Sequence, residues 1–387
     1  MDLFREMIPL KKKWCSHPIE DDPTVLDLAA RAGADLFNME FMQQGIATTW
    51  PQQAMVMLYE MEEPYRLLNN RGEAFLRDYY PSQDAFEQAC REKADHWPLS
   101  CRDSSLHIDR AIKREVMEGR GSPYDAVYLD LSHATRGFRH DLFEKFMTDN
   151  GIDLANDLVQ VQVHHHTSNG GIRIDERAET RVSGLYAVGE SAGWQGADRL
   201  GGTMLGGSQV FGWRAGRFAG EQVGSRRSVP VRDDQAFDLL QHLKVFKESK
   251  GGTDIQTMRH QLQRRMWQLL TVEKDEETLG MASAYIEADR ARLANALAIR
   301  EPLDIALAYE QRNLLDVAEV ITTAAMMRRE SRGSHYRSDY PDRDDDNWLT
   351  NIFATHRNGE LEMRREWINE ERGWEDSPAD IRIKPWG

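Results

Sequence analysis

The feature that most constrains the fold is a glycine-rich segment between residues 184 and 222. Residues 184–188 are a short apolar run that ends at a glycine and an acid, which is typical of a buried strand. A second glycine-rich run at 199–207 precedes the helix-forming residues 208–222. Glycines before a helix leave backbone N–H groups free and let a ligand approach the main chain closely. The segment therefore predicts a strand–loop–helix unit that can bind an anionic ligand at the carboxyl end of a strand.

Two features of this unit favour a bound cofactor. Glu190 follows the predicted strand, where a carboxylate can accept hydrogen bonds from sugar or ribityl hydroxyls. The helix N-terminus suits a negative charge, such as that of a reduced flavin around N1 and C2=O. Within the helix, Ser208, Gly212, Gly216 and Gly220 recur every fourth residue, which predicts close packing against a sheet. Taken alone, the pattern also fits a βα unit with a glycine turn and no ligand.

Upstream of this unit the chain has mixed helix and strand signals. Capping residues and apolar periodicity predict helices over 23–33 and 104–118. Apolar runs predict strands over 35–41, 126–131 and 159–166.

Downstream the composition shifts to helix formers. Apolar residues recur at helical spacing in three stretches, which predicts an antiparallel three-helix bundle. These residues are Met258, Leu262, Met266 and Leu269; Leu279, Ala282, Ile286, Leu293 and Leu297; and Leu303, Leu307, Leu314, Val317, Ile321 and Ala325. The tail after Ser331 is highly charged and contains several tryptophans, and we expect it to be irregular.

Charge and composition exclude several classes of protein. The net charge of −15 argues against a nucleic-acid partner, because a polyanion would meet a repulsive field. No apolar run approaches the roughly 20 residues that a membrane-spanning helix needs, and we recognise no signal peptide. Cys15, Cys90 and Cys101 are scattered without a CxxC, so neither a disulfide framework nor a protein-bound iron–sulfur cluster is expected. His164 and His166 share a strand face but make a poor metal site, and no metal is predicted.

The order of the motifs along the chain resembles the flavoproteins of succinate dehydrogenase, fumarate reductase and L-aspartate oxidase, a group that includes the adenylylsulfate reductase alpha type. The matching segments read CRDS (101–104), EGRG (118–121), VYLDL (127–131), HTSNGGI (166–172), ETRVSGLYAVGE (179–190), RLGG (199–202), ESRGSHYRSDYP (330–341) and RDDDNW (343–348). Because they span most of the chain in one order, we interpret the sequence as a member of this family.

The resemblance implies an α/β plus α fold. It contains the C-terminal part of a Rossmann-like FAD-binding domain with an inserted α+β cap domain, then a three-helix bundle and an irregular C-terminal module. The implied boundaries are a remnant of the FAD-binding domain at 1–37, the cap (substrate) domain at 38–158, the second part of the FAD-binding domain at 159–228, the helical bundle at 229–335 and the C-terminal module at 336–387.

The resemblance also implies site residues. His166 and Arg199 match the pair that holds a substrate carboxylate over the flavin, and Arg102 matches the arginine that moves a proton at the carbon next to the one exchanging hydride. Outside these motifs, a structural ion pair or a satisfied histidine would be the commoner explanation of each residue. The expected FAD contacts are Gly170, Gly171, Gly189, Glu190, Arg199, Gly201, Gly202, Thr203, Met204 and Leu205.

Three departures from the family pattern bear on the substrate and the cofactor. The family's Phe-His-Pro-Thr element, whose histidine grips a second carboxylate, corresponds to 42–47 here, and the histidine position falls on or near Gly45. The family's Arg-Gly-Glu-Gly-Gly loop has no clean counterpart, because the region 59–66 reads YEMEEPYR. Further along the chain, Asp198 stands where the family usually has an asparagine, and Gln195 stands where it has a histidine. No G-x-G-x-x-G follows a strand, so the FAD pyrophosphate has no recognisable cradle. The first two departures favour a monocarboxylate or otherwise different substrate. The third fits either an internal fragment of a longer protein or one gene of a split enzyme, and we favour the split enzyme.

The resulting hypothesis is the flavoprotein half of a split FAD enzyme, which exchanges hydride between a carboxylate and flavin N5. We expect a second polypeptide to supply the G-x-G-x-x-G half, an iron–sulfur or other electron-carrier subunit, and a cytoplasmic location with possible membrane association through partners. The alternatives are an L-aspartate oxidase-like enzyme and a non-catalytic paralogue with an assembly or regulatory role. Retention of Arg102, His166 and Arg199 together speaks against the paralogue.

Overall fold

The computed structural model describes residues 23–50, 66–132, 144–145, 147–199, 203–224, 251–357 and 360–368. Within these residues the helices are α1 (Pro23–Arg31), α2 (Gln83–His96), α3 (Leu106–Met117), α4 (Thr203–Val223), α5 (Ile255–Leu270), α6 (Glu276–Asn295), α7 (Pro302–Met327) and α8 (Asp345–Trp348). The strands are β1 (Leu36–Phe37), β2 (Met42–Trp50), β3 (Arg66–Leu68), β4 (Val127–Asp130), β5 (Val159–Ser168), β6 (Gly171–Ile172), β7 (Thr350–Arg357) and β8 (Glu360–Trp367). No helix among these described residues is long and apolar enough to cross a membrane.

One sheet joins the two ends of the described chain. Its strand order is β6-β1-β7-β8, and every neighbouring pair is antiparallel. The strand predicted over 35–41 is shorter than expected, because Asn38 turns the chain with a φ of 55°. Leu36 pairs with both Ile172 and Ala354, so β1 lies at the centre of this sheet.

The prediction of an irregular tail was wrong. Strands β7 (Thr350–Arg357) and β8 (Glu360–Trp367) pair as an antiparallel hairpin, and Phe353 stacks on Phe37 with ring centroids 5.7 Å apart. Ile352, Phe353 and Ala354 are buried, whereas the charged residues of β8 are partly or fully exposed. A strand that is covered on one side only carries many charges, and this is why the composition resembles that of a loop.

The second sheet has the order β2-β5-β4-β3, again with antiparallel pairs. The strands predicted over 126–131 and 159–166 are present as β4 and β5. β5, which the predicted boundaries assign to the FAD-binding part, is hydrogen-bonded between β2 and β4 of the cap. The sheet packs on α2 and α3 around one hydrophobic core that includes Ile46, Ile108 and Val161. The domain boundaries themselves stay predictions.

The three predicted helices of the C-terminal half are α5, α6 and α7. Asp254 and Asp275 cap the first two by accepting hydrogen bonds from backbone N–H groups. Their buried side chains share one core with α1, β1 and β6, so the helices pack on the body of the protein. Residues 225–250 lie outside the described residues.

Two expectations for the glycine-rich unit were wrong. Residues 184–188 form no strand; a single antiparallel bridge joins Glu179 and Tyr186, and Val188 is 39% exposed. Helix α4 is present but lies against no sheet among the described residues: none of its residues is buried, and a Cβ on Gly212 or Gly216 would meet nothing within 4 Å. Small residues allow another element to pack closely on a helix, but only the tertiary structure decides whether an element is there.

Candidate active site

The site is built at the carboxyl end of β5. In the pairing of β5 with β2, Gln43 lies opposite Thr167 and Gln44 opposite His165, so His166 is an extra residue in a β-bulge. Bulges redirect side chains and are common beside active sites. The His166 side chain is exposed here, whereas its neighbours His165 and Thr167 are buried.

Two glycines after the bulge are required by close approach of the backbone. A Cβ on Gly170 would lie 2.3 Å from the Asn38 carbonyl oxygen. A Cβ on Gly171 would lie 2.6 Å from the Ser191 carbonyl oxygen. Any side chain at either position would displace main chain, so the segment after β5 is held tightly against β1 and the 189–191 turn.

The predicted cofactor acid is tied to the same strand end. Gly189 has a φ of 68°, the left-handed region that favours glycine, and it turns Glu190 toward β5. The Glu190 carboxylate accepts hydrogen bonds from the Thr167 hydroxyl and, at 3.3 Å, from the Ser168 backbone N–H. The strand predicted to precede this acid is absent, and Glu190 lies beside the end of β5 instead.

Arg199 is held by a residue that sequence reasoning missed. Its Nε and Nη2 both donate to Gln43 Oε1, at 2.9 and 2.6 Å. Burial lowers the pKa of the Arg199 guanidinium, and the negative charge of Glu190 opposes that shift. Gln43 lies in β2, opposite Thr167, so Arg199 is anchored beside the bulge that carries His166. The only signal for Gln43 was its place in the strand that leads to Gly45.

Arg102, which lies between α2 and α3, reaches the same region. Its Nη1 lies 3.8 Å from Asp198 Oδ2, and its Nε lies 3.5 Å from Asp103 Oδ2. The Ser100 hydroxyl donates to Asp198 at 2.7 Å, and the Arg102 backbone N–H donates to Ser100 Oγ at 3.3 Å. The structure therefore places the Arg102 guanidinium against the residue that precedes Arg199.

The start of α4 carries the remaining predicted contacts. Thr203 donates its hydroxyl to Gln195 Oε1 at 3.1 Å, and the Gln195 amide contacts Met204 Sδ at 3.4 Å. Leu205 is 71% exposed. Gly201 and Gly202 lie outside the described residues.

The polar groups beside the glycines fit a cofactor with several donors and acceptors. Ser168 Oγ and both side-chain amide atoms of Asn169 are buried and have no hydrogen-bond partner among the described residues. Buried polar groups normally have partners, so atoms left without them beside Gly170 suit the polar edge of a ligand. Among the described residues, no group of three or more His, Cys, Asp or Glu side chains is placed to hold a metal ion.

Two family models cover most of the chain. A model described as FAD binding domain matches residues 3–205, and one described as fumarate reductase flavoprotein C-term matches residues 259–380. The chain belongs to the fumarate reductase/succinate dehydrogenase flavoprotein family. FAD is accordingly its cofactor, and its fold is a mixed α/β fold with FAD-binding and C-terminal parts.

Individual relatives agree with this assignment. The chain is 32% identical over 331 residues to a fumarate reductase (CoM/CoB) subunit of Methanothermobacter marburgensis, a match that covers 81% of this chain and 56% of the relative. It is 29% identical over 347 residues to the fumarate reductase flavoprotein subunit of Haemophilus influenzae, covering 85% and 57%. The chain thus spans less than two thirds of the length of these relatives.

Solved structures show the same fold. The flavoprotein FrdA of Escherichia coli quinol fumarate reductase superposes with a TM-score of 0.73 at 25% identity, covering 92% of this chain and 64% of that one. Mycobacterium smegmatis Sdh1 in complex with UQ1 gives a TM-score of 0.76 at 27% identity, covering 92% and 60%.

Proposed function

We propose that the chain is the flavoprotein component of an FAD-dependent oxidoreductase that exchanges hydride between a carboxylate substrate and flavin N5. The observation that carries this proposal is the grouping of Arg102, Asp198 and Arg199 beside the strand end that holds Glu190 and His166. The Arg102 guanidinium lies beside Asp198, and the next residue, Arg199, is held by Gln43 of β2. This arrangement suits binding of a carboxylate next to a site of proton transfer.

The FAD, when bound, supplies a two-electron centre that accepts or returns a hydride. The residues that would hold its isoalloxazine end are Gly170, Gly171, Gly189, Glu190, Thr203, Met204 and Leu205. In the oxidative direction the substrate loses a hydride from one carbon and a proton from the adjacent carbon, and a double bond forms between them. The reverse reaction consumes one hydride and one proton.

The side chains of this protein have separate roles in that reaction. Arg199 binds the substrate carboxylate, and Gln43 fixes the orientation of its guanidinium by accepting two N–H bonds. His166 donates to the same carboxylate from the bulge. In the reductive direction Arg102 gives the proton, and the carboxylates of Asp103 and Asp198 lie beside its guanidinium.

The proposal extends to partners. This sequence carries no G-x-G-x-x-G after a strand, and helix α4 presents Leu205, Val210 and Trp213 to solvent. A second polypeptide that contributes the ADP-binding half would cover this face. An iron–sulfur or other electron carrier would reoxidise the flavin, and the assembly would lie in the cytoplasm or at a membrane through its partners.

The test uses the flavin-containing protein with whatever co-purifies. Saturated monocarboxylates and dicarboxylates are added without oxygen, and loss of the oxidised flavin absorbance is followed. Bleaching by at least one carboxylate supports the proposal. A protein that assembles and holds flavin but exchanges no electrons with any carboxylate would instead be a non-catalytic paralogue. Rapid reoxidation by oxygen after reduction by L-aspartate would indicate an L-aspartate oxidase-like enzyme.

A further inference from the structure

The side chain of Trp97 occupies the space in front of Gly45. A Cβ on Gly45 would lie 2.4 Å from Trp97 Cζ2 and 2.5 Å from Cη2, well inside any real contact. Gly45 and the Trp97 indole therefore depend on each other, because any side chain at position 45 would have to displace the ring.

The indole is fixed from two directions. Its Nε1 donates to the Ile46 carbonyl oxygen at 3.3 Å, and the Leu99 backbone N–H donates to the Gln44 carbonyl oxygen at 2.8 Å. Residues 97–99 thus run along β2, which is an edge strand of its sheet. Trp97 itself ends α2 with a φ of 43°, an unfavourable conformation for a bulky residue, and is only 7% exposed.

The same ring borders the predicted carboxylate site. Trp97 and His166 are perpendicular, with ring centroids 5.0 Å apart. Gly45 lies two residues from Gln43, the partner of Arg199, in the same strand. The indole therefore borders His166 on one side and Gly45 on the other.

The Trp97 indole presents an apolar surface. The indole N–H, its one donor, is already given to Ile46, and the remaining ring atoms are carbon. A carboxylate placed against them would lose hydration and gain no charged or hydrogen-bonding partner from the ring. An alkyl or aryl group would instead gain contact area and ring packing.

We propose that Trp97 determines substrate specificity by making this end of the site apolar, so that the substrate is a monocarboxylate with an apolar alkyl or aryl end. This inference rests on the proposed function, since it takes Arg199 and His166 as the carboxylate-binding end. Dicarboxylates of the succinate and fumarate type are poor substrates, on the order of 10²-fold below the matching monocarboxylates.

Binding and turnover are measured separately on the flavin-containing protein. Calorimetric titration compares butyrate and 3-phenylpropionate with succinate, and anaerobic flavin reoxidation compares crotonate and cinnamate with fumarate. The expected result is tighter binding and faster exchange for the monocarboxylates. Tighter binding of succinate would overturn the role of Trp97 and leave the proposed function standing. Preferential binding of monocarboxylates without any electron exchange would support the role of Trp97 in specificity and contradict the proposed function.

A swap of the two residues gives the sharper test. The double variant Gly45→His with Trp97→Ala exchanges the apolar wall for a hydrogen-bond donor and removes the clash. It should raise the ratio of dicarboxylate to monocarboxylate binding at least ~10-fold, whereas Trp97→Phe should retain the original preference. Trp367→Ala, at an exposed tryptophan of β8, is the control and should change neither ratio. A folded, flavin-containing double variant with an unchanged ratio would overturn the inference.

Discussion

A buried or half-buried charged side chain stabilises or destabilises this protein depending on whether it has a partner. Arg199 is half-buried and gives two hydrogen bonds to Gln43, and Arg102 is partly exposed between two carboxylates. Lys93 is fully buried and bonds Asp109 at 2.5 Å. Lys274 is also buried, yet its ammonium has no hydrogen-bond partner among the described residues.

The guanidinium pair leads to the first prediction. Arg199→Ala should weaken binding of the carboxylate by about 2 to 5 kcal/mol, because it removes a charged, half-buried partner of that carboxylate. Arg102→Gln should leave binding nearly unchanged and lower turnover on the order of 10²- to 10⁴-fold, since proton transfer is lost. His166→Ala should lie between them. Stopped-flow measurement of flavin reduction at several substrate concentrations separates the substrate dissociation constant from the rate constant of flavin reduction.

Two controls accompany these variants. Arg199→Lys keeps the positive charge but cannot form a bidentate hydrogen bond, so it should recover only part of the carboxylate binding. Arg91→Ala, at an exposed arginine of the cap helix α2, should alter neither constant. Equal and small effects of all three site substitutions would remove Arg102, His166 and Arg199 from the site.

Lys274 gives the second prediction. Burial lowers its pKa to about 8, from 10.5 when unfolded. Between these values the unfolded chain holds a proton that the folded chain has released, so stability rises with pH through this window. Lys274→Met should therefore stabilise the protein at pH 7 by up to about 3 kcal/mol, and the gain should shrink as pH rises from 8 toward 10.5. Thermal unfolding across this pH range measures the difference.

The matched control is Lys93→Met. It removes one partner of a buried ion pair and leaves Asp109 uncompensated, which should cost about 3 to 5 kcal/mol. If Lys274→Met destabilises the protein as much as Lys93→Met does, the ammonium of Lys274 has a partner in solution.

Among the elements, the hairpin β7–β8 connects distant parts of the chain through one buried carboxylate. Asp35 accepts hydrogen bonds from Arg364 Nη2 at 2.9 Å, Thr355 Oγ1 at 2.5 Å and Arg181 Nη1 at 3.0 Å. Burial acts to raise the pKa of Asp35, but the hydrogen bonds from these three residues lower it to about 2. The carboxylate thereby joins the hairpin to β1.

The third prediction concerns this joint. Asp35→Asn should lower the unfolding midpoint at pH 7 and speed amide hydrogen exchange in 350–367, because the hairpin loses its charged anchor. Because the pKa of Asp35 is lower in the folded state, its carboxylate contributes stability that is present above pH 3.8 and is lost as the pH falls through about 2. The difference in unfolding midpoint between wild type and Asp35→Asn should therefore narrow over that pH range.

Glu366→Gln serves as the control for the hairpin. Glu366 pairs with the same Arg364 at 3.0 Å but is partly exposed, so its loss should cost less than about 1 kcal/mol. Equal exchange rates in wild type and Asp35→Asn would show that the hairpin is held by Phe353 and its neighbours instead.

At the scale of the whole molecule, the main feature is helix α4, none of whose residues is buried by the described part of the chain. Leu205, Val210, Trp213 and Val223 are 49% to 76% exposed on a helix whose N-terminus borders the proposed flavin site. Large apolar side chains on one element mark a surface that another chain can cover.

The fourth prediction follows from that surface. The chain alone should bind FAD weakly, and a second polypeptide with a strand–G-x-G-x-x-G–helix start should restore binding. Trp213→Ala should weaken this assembly, whereas Trp367→Ala should not, although the two tryptophans are similarly exposed. Flavin absorbance and sedimentation of the purified mixture report both steps. Stoichiometric FAD in the isolated chain would refute the split arrangement.

The sequence by itself determined the family and the bundle helices, because these depend on local signals: motif order and apolar periodicity. It also located the departure at Gly45. Only the tertiary structure showed that Trp97 fills the space beside that glycine, that Gln43 holds Arg199, and that the charged tail is a hairpin on β1. Each of these facts is a contact between residues far apart in the chain. Such contacts are decided by which faces the packed elements present to one another, and a one-dimensional pattern does not contain that information.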